Sequence, residues 1–176
     1  MTKSIIGALV GAVILFFWGF ASFGPLGVHK AEMDYVANQQ EIMDCLEGKL
    51  PAGSYMIPQA APGQDMAAFN QSADGKPWAW IHYRTSFNTS MTVPMVRNFA
   101  ASFVALLLLI WLLQRMSLTS FMETFIAILS VSTFSYLLGT YSESAWFETS
   151  TIGDLLDTLV QSVLLAGWLN WWLGRK

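Results

Sequence analysis

From Ile5 to Gly24 the chain runs without a charged residue, and a helix needs roughly 20 apolar residues of this kind to cross a hydrocarbon core. Three further runs, Val93 to Leu113, Phe121 to Tyr141 and Ile152 to Leu173, are of similar length and carry charge only near their starts. A backbone surrounded by lipid has to satisfy its own hydrogen bonds, so each run is expected to be a helix. Composition agrees: 12% of the 176 residues are charged and 54% are hydrophobic, whereas soluble domains carry about 25% charged residues. Polar and apolar residues also fall into separate blocks, as spans and loops do.

The expected fold is an all-α membrane protein: a four-helix transmembrane bundle with a small α+β extracytoplasmic insert between helices 1 and 2. The segments expected are helix 1 at 1–25, the insert at 26–92, helix 2 at 93–115, helix 3 at 118–141 and helix 4 at 152–174. A cleaved signal peptide would carry an apolar region of only about 7–15 residues, so the first run is expected to remain as a span. Pro94 suits a first helical turn, where a missing N–H costs nothing, and Thr92 is the expected cap.

Lys and Arg near span ends favour the cytoplasmic side. With four crossings, Lys3, Arg115, Arg175 and Lys176 share one side, while the loop from Ser142 to Thr151 on the other side holds Glu143 and Glu148 and no base. The expected location is therefore a plasma or bacterial inner membrane, with both termini cytoplasmic and residues 26–92 outside. Tryptophans concentrate at membrane interfaces; Trp111, Trp168, Trp171 and Trp172 are expected at the inner ends, Trp18 and Trp146 toward the outer ones.

In the insert, Met33, Val36, Ala37, Met43, Leu46 and Leu50 recur at helical spacing, with Asp34 as cap and Gly48 as stop. Ser54 to Ile57 and Trp78 to Phe87 are expected to be extended, with turns at Pro62-Gly63 and Asp74-Gly75 between them. The two strands would pair over the helix. An isolated hairpin is marginal in water, so this thin insert is expected to lean on a membrane surface or another protein. The alternating Trp78, Trp80 and His82 form its candidate ligand or partner surface.

Asp154, Asp157 and Gln161 lie at i, i+3 and i+7 on one face of the last span. On the second span Arg97 is followed by Ala100, Ala101, Val104 and Ala105, a small-residue face that allows close helix approach. The expectation is an intramembrane polar cluster in which Arg97 pairs with Asp157 or Asp154, structural first and an ion path second. Glu123 is expected to meet Arg115 or solvent. Gly7 and Gly11, in small-xxx-small spacing, together with Ala101 and Ala105, are the candidate helix-packing residues.

His29 and His82 are the only imidazoles, and Glu32 follows His29 by three residues, a spacing at which ligands on a helix converge. These three are the candidate metal ligands, and scattered methionines (Met33, Met43, Met56, Met66, Met91 and Met95) would suit copper, although Met also fills irregular cores. The single Cys45 excludes an internal disulfide and a thiolate-rich zinc or iron-sulfur site. There is no G-x-S-x-G, no Gly-rich loop leading to Lys and Ser or Thr, no H-E-x-x-H and no paired-cysteine motif, so no catalytic residues and no cofactor are expected. A formal charge of −3 without a cluster of bases argues against nucleic acid.

The stretches Ile14-Leu15-Phe16-Phe17-Trp18-Gly19-Phe20, Gly75-Lys76-Pro77-Trp78 and Gly167-Trp168-Leu169-Asn170-Trp171-Trp172-Leu173 resemble those of small bacterial four-span inner-membrane proteins. That resemblance implies a bacterial inner-membrane location and no particular activity. The expected function is a non-catalytic accessory or assembly subunit of a larger membrane complex, with the lipid bilayer and other membrane subunits as partners. The alternatives are a small transporter or channel-forming homo-oligomer with a polar path near Arg97, Asp154 and Asp157, and a metal-handling or redox membrane protein.

Overall fold

A computed structural model describes residues 1–118 and 120–174. Thr119, inside the expected third segment, and Arg175 and Lys176, two of the four bases in the charge argument, lie outside the described residues. Two units are present. Met1–Tyr35 with the chain from Met91 onward forms the first, and Val36–Ser90 the second.

Among the described residues, the first unit holds four helical segments long and apolar enough to cross a membrane. They are α1 (Thr2–Phe23), α4 (Thr92–Leu113), the run from Phe121 to Phe147, and α7 (Ile152–Gly174). The second unit holds α2 (Gln39–Leu46), β1 (Gly53–Ile57), α3 (Met66–Ala73) and β2 (Ala79–Tyr83). The described residues are thus mostly helical with one small two-stranded sheet.

In the first unit α1 packs against both α4 and α7, α7 packs against α5 (Phe121–Tyr136), and α4 meets α5 only sparingly. The core runs through α1, α4, α5 and α7: Leu106, Leu113 and Leu165 are buried, and Ala8, Ala12, Ile110, Ile128, Ala166 and Leu169 fully so. Small residues on α1 let its neighbours come close. A Cβ on Gly7 would lie 2.8 Å from Trp172 Cδ1, and one on Gly11 2.9 Å from Leu106 Cδ1, so both glycines serve packing inside this bundle. Trp168 and Trp172 donate their indole N–H groups to the carbonyls of Gly7 (2.9 Å) and Lys3 (2.8 Å). Lys3 Nζ in turn donates to the Leu173 carbonyl at 3.1 Å.

Three expectations change here. The α4 face that meets α1 is the one carrying Leu106 and Ile110, while Ala100, Ala101, Val104 and Ala105 are exposed; the bulky apolar residues fill the core and the small ones point away from it. Thr92 opens α4 without a side-chain cap bond. The third helix does not stop at Tyr141. It continues through a π-helical turn (Leu137–Tyr141) into α6 (Ser142–Phe147), which ends at Glu148 in the left-handed region, φ 53°. Glu143 reads as loop composition, yet glutamate is a good helix former and is exposed here.

The N-terminus of α5 carries a full capping box, in which Ser120 Oγ accepts from the Glu123 N–H and Glu123 accepts from the Ser120 N–H, each at 3.2 Å. Arg115 lies over the Trp111 ring, 5.2 Å from its centroid.

In the second unit β1 and β2 pair antiparallel, Ser54 opposite His82 and Met56 opposite Trp80. The expected helix from Met33 to Leu50 is shorter, Gln39–Leu46, because Met33 leaves the helical region (φ −141°); Asp34 caps nothing there. Gly48 (φ 72°) follows the helix as expected. The turn glycines Gly63 and Gly75 also have positive φ. Between them lies α3, which the turn signals concealed. Its cap is Asp65, whose carboxylate accepts from the Ala67 and Ala68 N–H groups.

Candidate functional site

The apolar run of α1 ends at Phe23, and Pro25 and Gly27 then reverse the chain. Gly27 has φ 58°, a conformation that costs an L-residue more than glycine, and it lets the Val28 N–H donate back to the Ser22 carbonyl at 3.0 Å. His29 is thereby laid against the end of α1. Its ring stacks on Phe23 with centroids 3.8 Å apart and planes within 3°. A 3-10 turn, Lys30–Glu32, has three residues per turn, so Glu32 returns over His29.

The remaining groups come from the first turns of α7. Asp157 is buried, and both of its oxygens are used: Oδ1 accepts from Trp18 Nε1 (3.0 Å) and Ser22 Oγ (2.6 Å), while Oδ2 faces His29 Nε2 at 3.2 Å. The other ring nitrogen of His29, Nδ1, is 2.6 Å from Glu32 Oε2. Protonated, the imidazole donates to a carboxylate at each end. Burial disfavours that charge, but the hydrogen bonds to Glu32 and Asp157 and the charges of both acids outweigh it, raising the His29 pKa above its ordinary value.

Asp154 completes the cluster. Ligand atoms of His29, Glu32 and Asp154 lie within 4.8 Å of one another. Gly153 leaves room for them, since a Cβ there would stand 2.7 Å from both Glu32 Oε1 and His29 Nδ1. Glu32 Oε1 is buried and has no hydrogen-bond partner among the described residues. Beside the cluster, Asp154, Asp157, Thr158 and Gln161 of α7 and Ser132, Ser135, Tyr136 and Thr140 of the third helix line an open polar pocket of about 280 Å³. Tyr136 OH, one of the lining groups, lies 2.9 Å from Thr151 Oγ1.

Of the residues singled out from the sequence, Asp154, Asp157 and Gln161 do share one site. Arg97 does not join it. Arg97 is exposed on α4, and Asp157 takes Trp18, Ser22 and His29 in its place; α4 packs on α1, which brings its own donors to the aspartate. His29 and Glu32 come together as their spacing suggested, whereas His82 belongs to the second unit, where its Nδ1 lies 2.9 Å from Ser54 Oγ. Trp80 and His82 sit on one face of β2 with ring centroids 5.9 Å apart, and Trp78 and Trp80 are both half-exposed. Cys45 is exposed, with Lys49 Nζ 3.6 Å from its sulfur.

Trp18 and Ser22 are site residues that sequence reasoning misses. The available signal is their i, i+4 spacing, which puts two donors on one face of an otherwise apolar helix.

Four apolar helices are compatible with a multi-pass membrane protein and support that class. No protein-family model matches the chain, and no curated protein or solved structure matches it.

Proposed function

We propose that this chain is a non-catalytic accessory or assembly subunit of a larger membrane protein complex, inserted through its four apolar helices. In this reading the side of α1's N-terminus, with Lys3 and Arg115, is cytoplasmic, and the 26–92 insert is outside. The observation that carries the proposal is the outward face of α4, where Ala100, Ala101, Val104 and Ala105 are exposed. In a bilayer, apolar surface alone does not drive helices together, but faces of small residues that allow close packing do. Among the described residues no helix covers that face, and Arg97 stands exposed at one end of it, where its charge can meet another subunit.

Native purification of the tagged protein from its own membranes tests this. Stoichiometric co-purification with other membrane subunits is expected, and its loss in the A101L/A105L variant with helical content unchanged. A homo-oligomer as the sole species, or a complex indifferent to those substitutions, would contradict the proposal.

A second reading, a small transporter or channel-forming homo-oligomer, is favoured by the polar pocket holding Asp154, Asp157 and Gln161. It predicts ion flux in liposomes containing only this chain, abolished by Gln161→Leu. The subunit reading predicts silent vesicles.

A further inference from the structure

The cluster at the start of α7 contains more than a clasp needs. Trp18, Ser22 and His29 already join α1 and its following turn to Asp157. Glu32 and Asp154 add two more carboxylates around the same imidazole. One of their oxygens, Glu32 Oε1, is buried without a donor among the described residues, a cost that a proton shared between His29 and Glu32 leaves in place. A cation bound among these groups would remove it.

We propose that His29 Nδ1, Glu32 and Asp154 bind one divalent transition-metal ion of zinc type. The set of one imidazole nitrogen and two carboxylate oxygens suits zinc, which takes three protein ligands and leaves a fourth position for water. Calcium and magnesium prefer all-oxygen shells of higher coordination number. Soft Cu(I) prefers thiolate or thioether donors, which this set lacks.

The surroundings match what such an ion needs. A ligating histidine ordinarily donates its other ring N–H to a carboxylate, which fixes the tautomer and the ring's direction. His29 Nε2 faces Asp157 Oδ2 in this way, and Asp157 is itself fixed by Trp18 and Ser22. Phe23 holds the ring plane from one side. Asp154 also lines the polar pocket between α7 and the third helix, which supplies an entry path and room for the water. Ligand atoms around a tetrahedral zinc ion at about 2.1 Å are roughly 3.4 Å apart. The present spacing, within 4.8 Å, therefore reaches that geometry by side-chain movement of about an ångström, the scale of a χ adjustment. The metal replaces the proton on Nδ1, and that proton leaves to solvent.

The test uses the full chain in detergent, stripped with a chelator and titrated with Zn²⁺ alone in competition with a chromophoric chelator. Co²⁺ serves as a spectroscopic probe in parallel. One saturable Zn²⁺ per chain is expected, with the visible absorption of four-coordinate Co²⁺. Affinity should fall at least tenfold in E32Q and in D154N. It should fall about 10- to 100-fold in D157N with the Co²⁺ spectrum retained, as for an orienting carboxylate, and stay unchanged in H82A. Because His29→Gln could unfold the protein, E32Q and D154N are the deciding variants, with helical content checked by circular dichroism. No saturable Zn²⁺ binding by folded protein, or a site that survives both substitutions, would overturn the proposal.

Discussion

The two ends of the α1–α7 pair are fastened by different chemistry. At one end indole N–H groups of Trp168 and Trp172 donate to the Gly7 and Lys3 carbonyls, neutral bonds that need only large aromatic side chains beside small residues. At the other end an imidazole and carboxylates meet in a buried place, where a lost partner leaves charge uncompensated. The first end resembles ordinary membrane-helix packing. The second concentrates the ionisable groups of the bundle, and that contrast is what separates a packing device from a candidate site.

Substitutions at the two ends should differ in size accordingly. The largest loss is expected for Asp157→Ala, which leaves three donors without their acceptor; about 3–5 kcal/mol, the cost of breaking a buried charged pair, should appear in unfolding from mixed micelles. Gly153→Ala should cost about 1–3 kcal/mol, because the new methyl must displace His29 or Glu32. Gly167, where an added Cβ would meet nothing within 4 Å among the described residues, should accept alanine without loss, and an equal cost at both glycines would remove the argument for close packing at the site. Trp168→Phe, at the indole end, should cost about 0.5–1.5 kcal/mol, the net worth of one hydrogen bond. Smallest is Ala101→Leu on the outward face of α4, expected within about 0.5 kcal/mol of the parent as for other surface positions, while the co-purification proposed above is expected to be lost.

How much of this was legible in the sequence follows the same division. Apolar length set out the four helices, because a lipid-exposed backbone has one economical solution. The i, i+3, i+7 spacing put Asp154, Asp157 and Gln161 together for a similarly local reason. Which helix faces them is a long-range property: Arg97 is the obvious counter-charge, but the bulky Leu106 and Ile110 direct α4's other face to the core. The neutral donors Trp18 and Ser22 carry no charge to draw attention. His29 and Glu32 were legible as a pair, whereas their meeting with α7 depends on the reversal at Gly27. In the second unit α3 was hidden between two true turn glycines, its cap Asp65 being the overlooked sign.

On the proposed reading, α4's small-residue face meets another membrane protein. A photoreactive side chain placed at Ala101 in the native membrane tests it directly, with the same group at Val163, an exposed apolar position on α7, as reference. A discrete cross-link from position 101 to a different membrane protein is expected, with only lipid adducts from position 163. Lipid adducts alone from both positions, or a cross-link from 101 only to another copy of this chain, would contradict it.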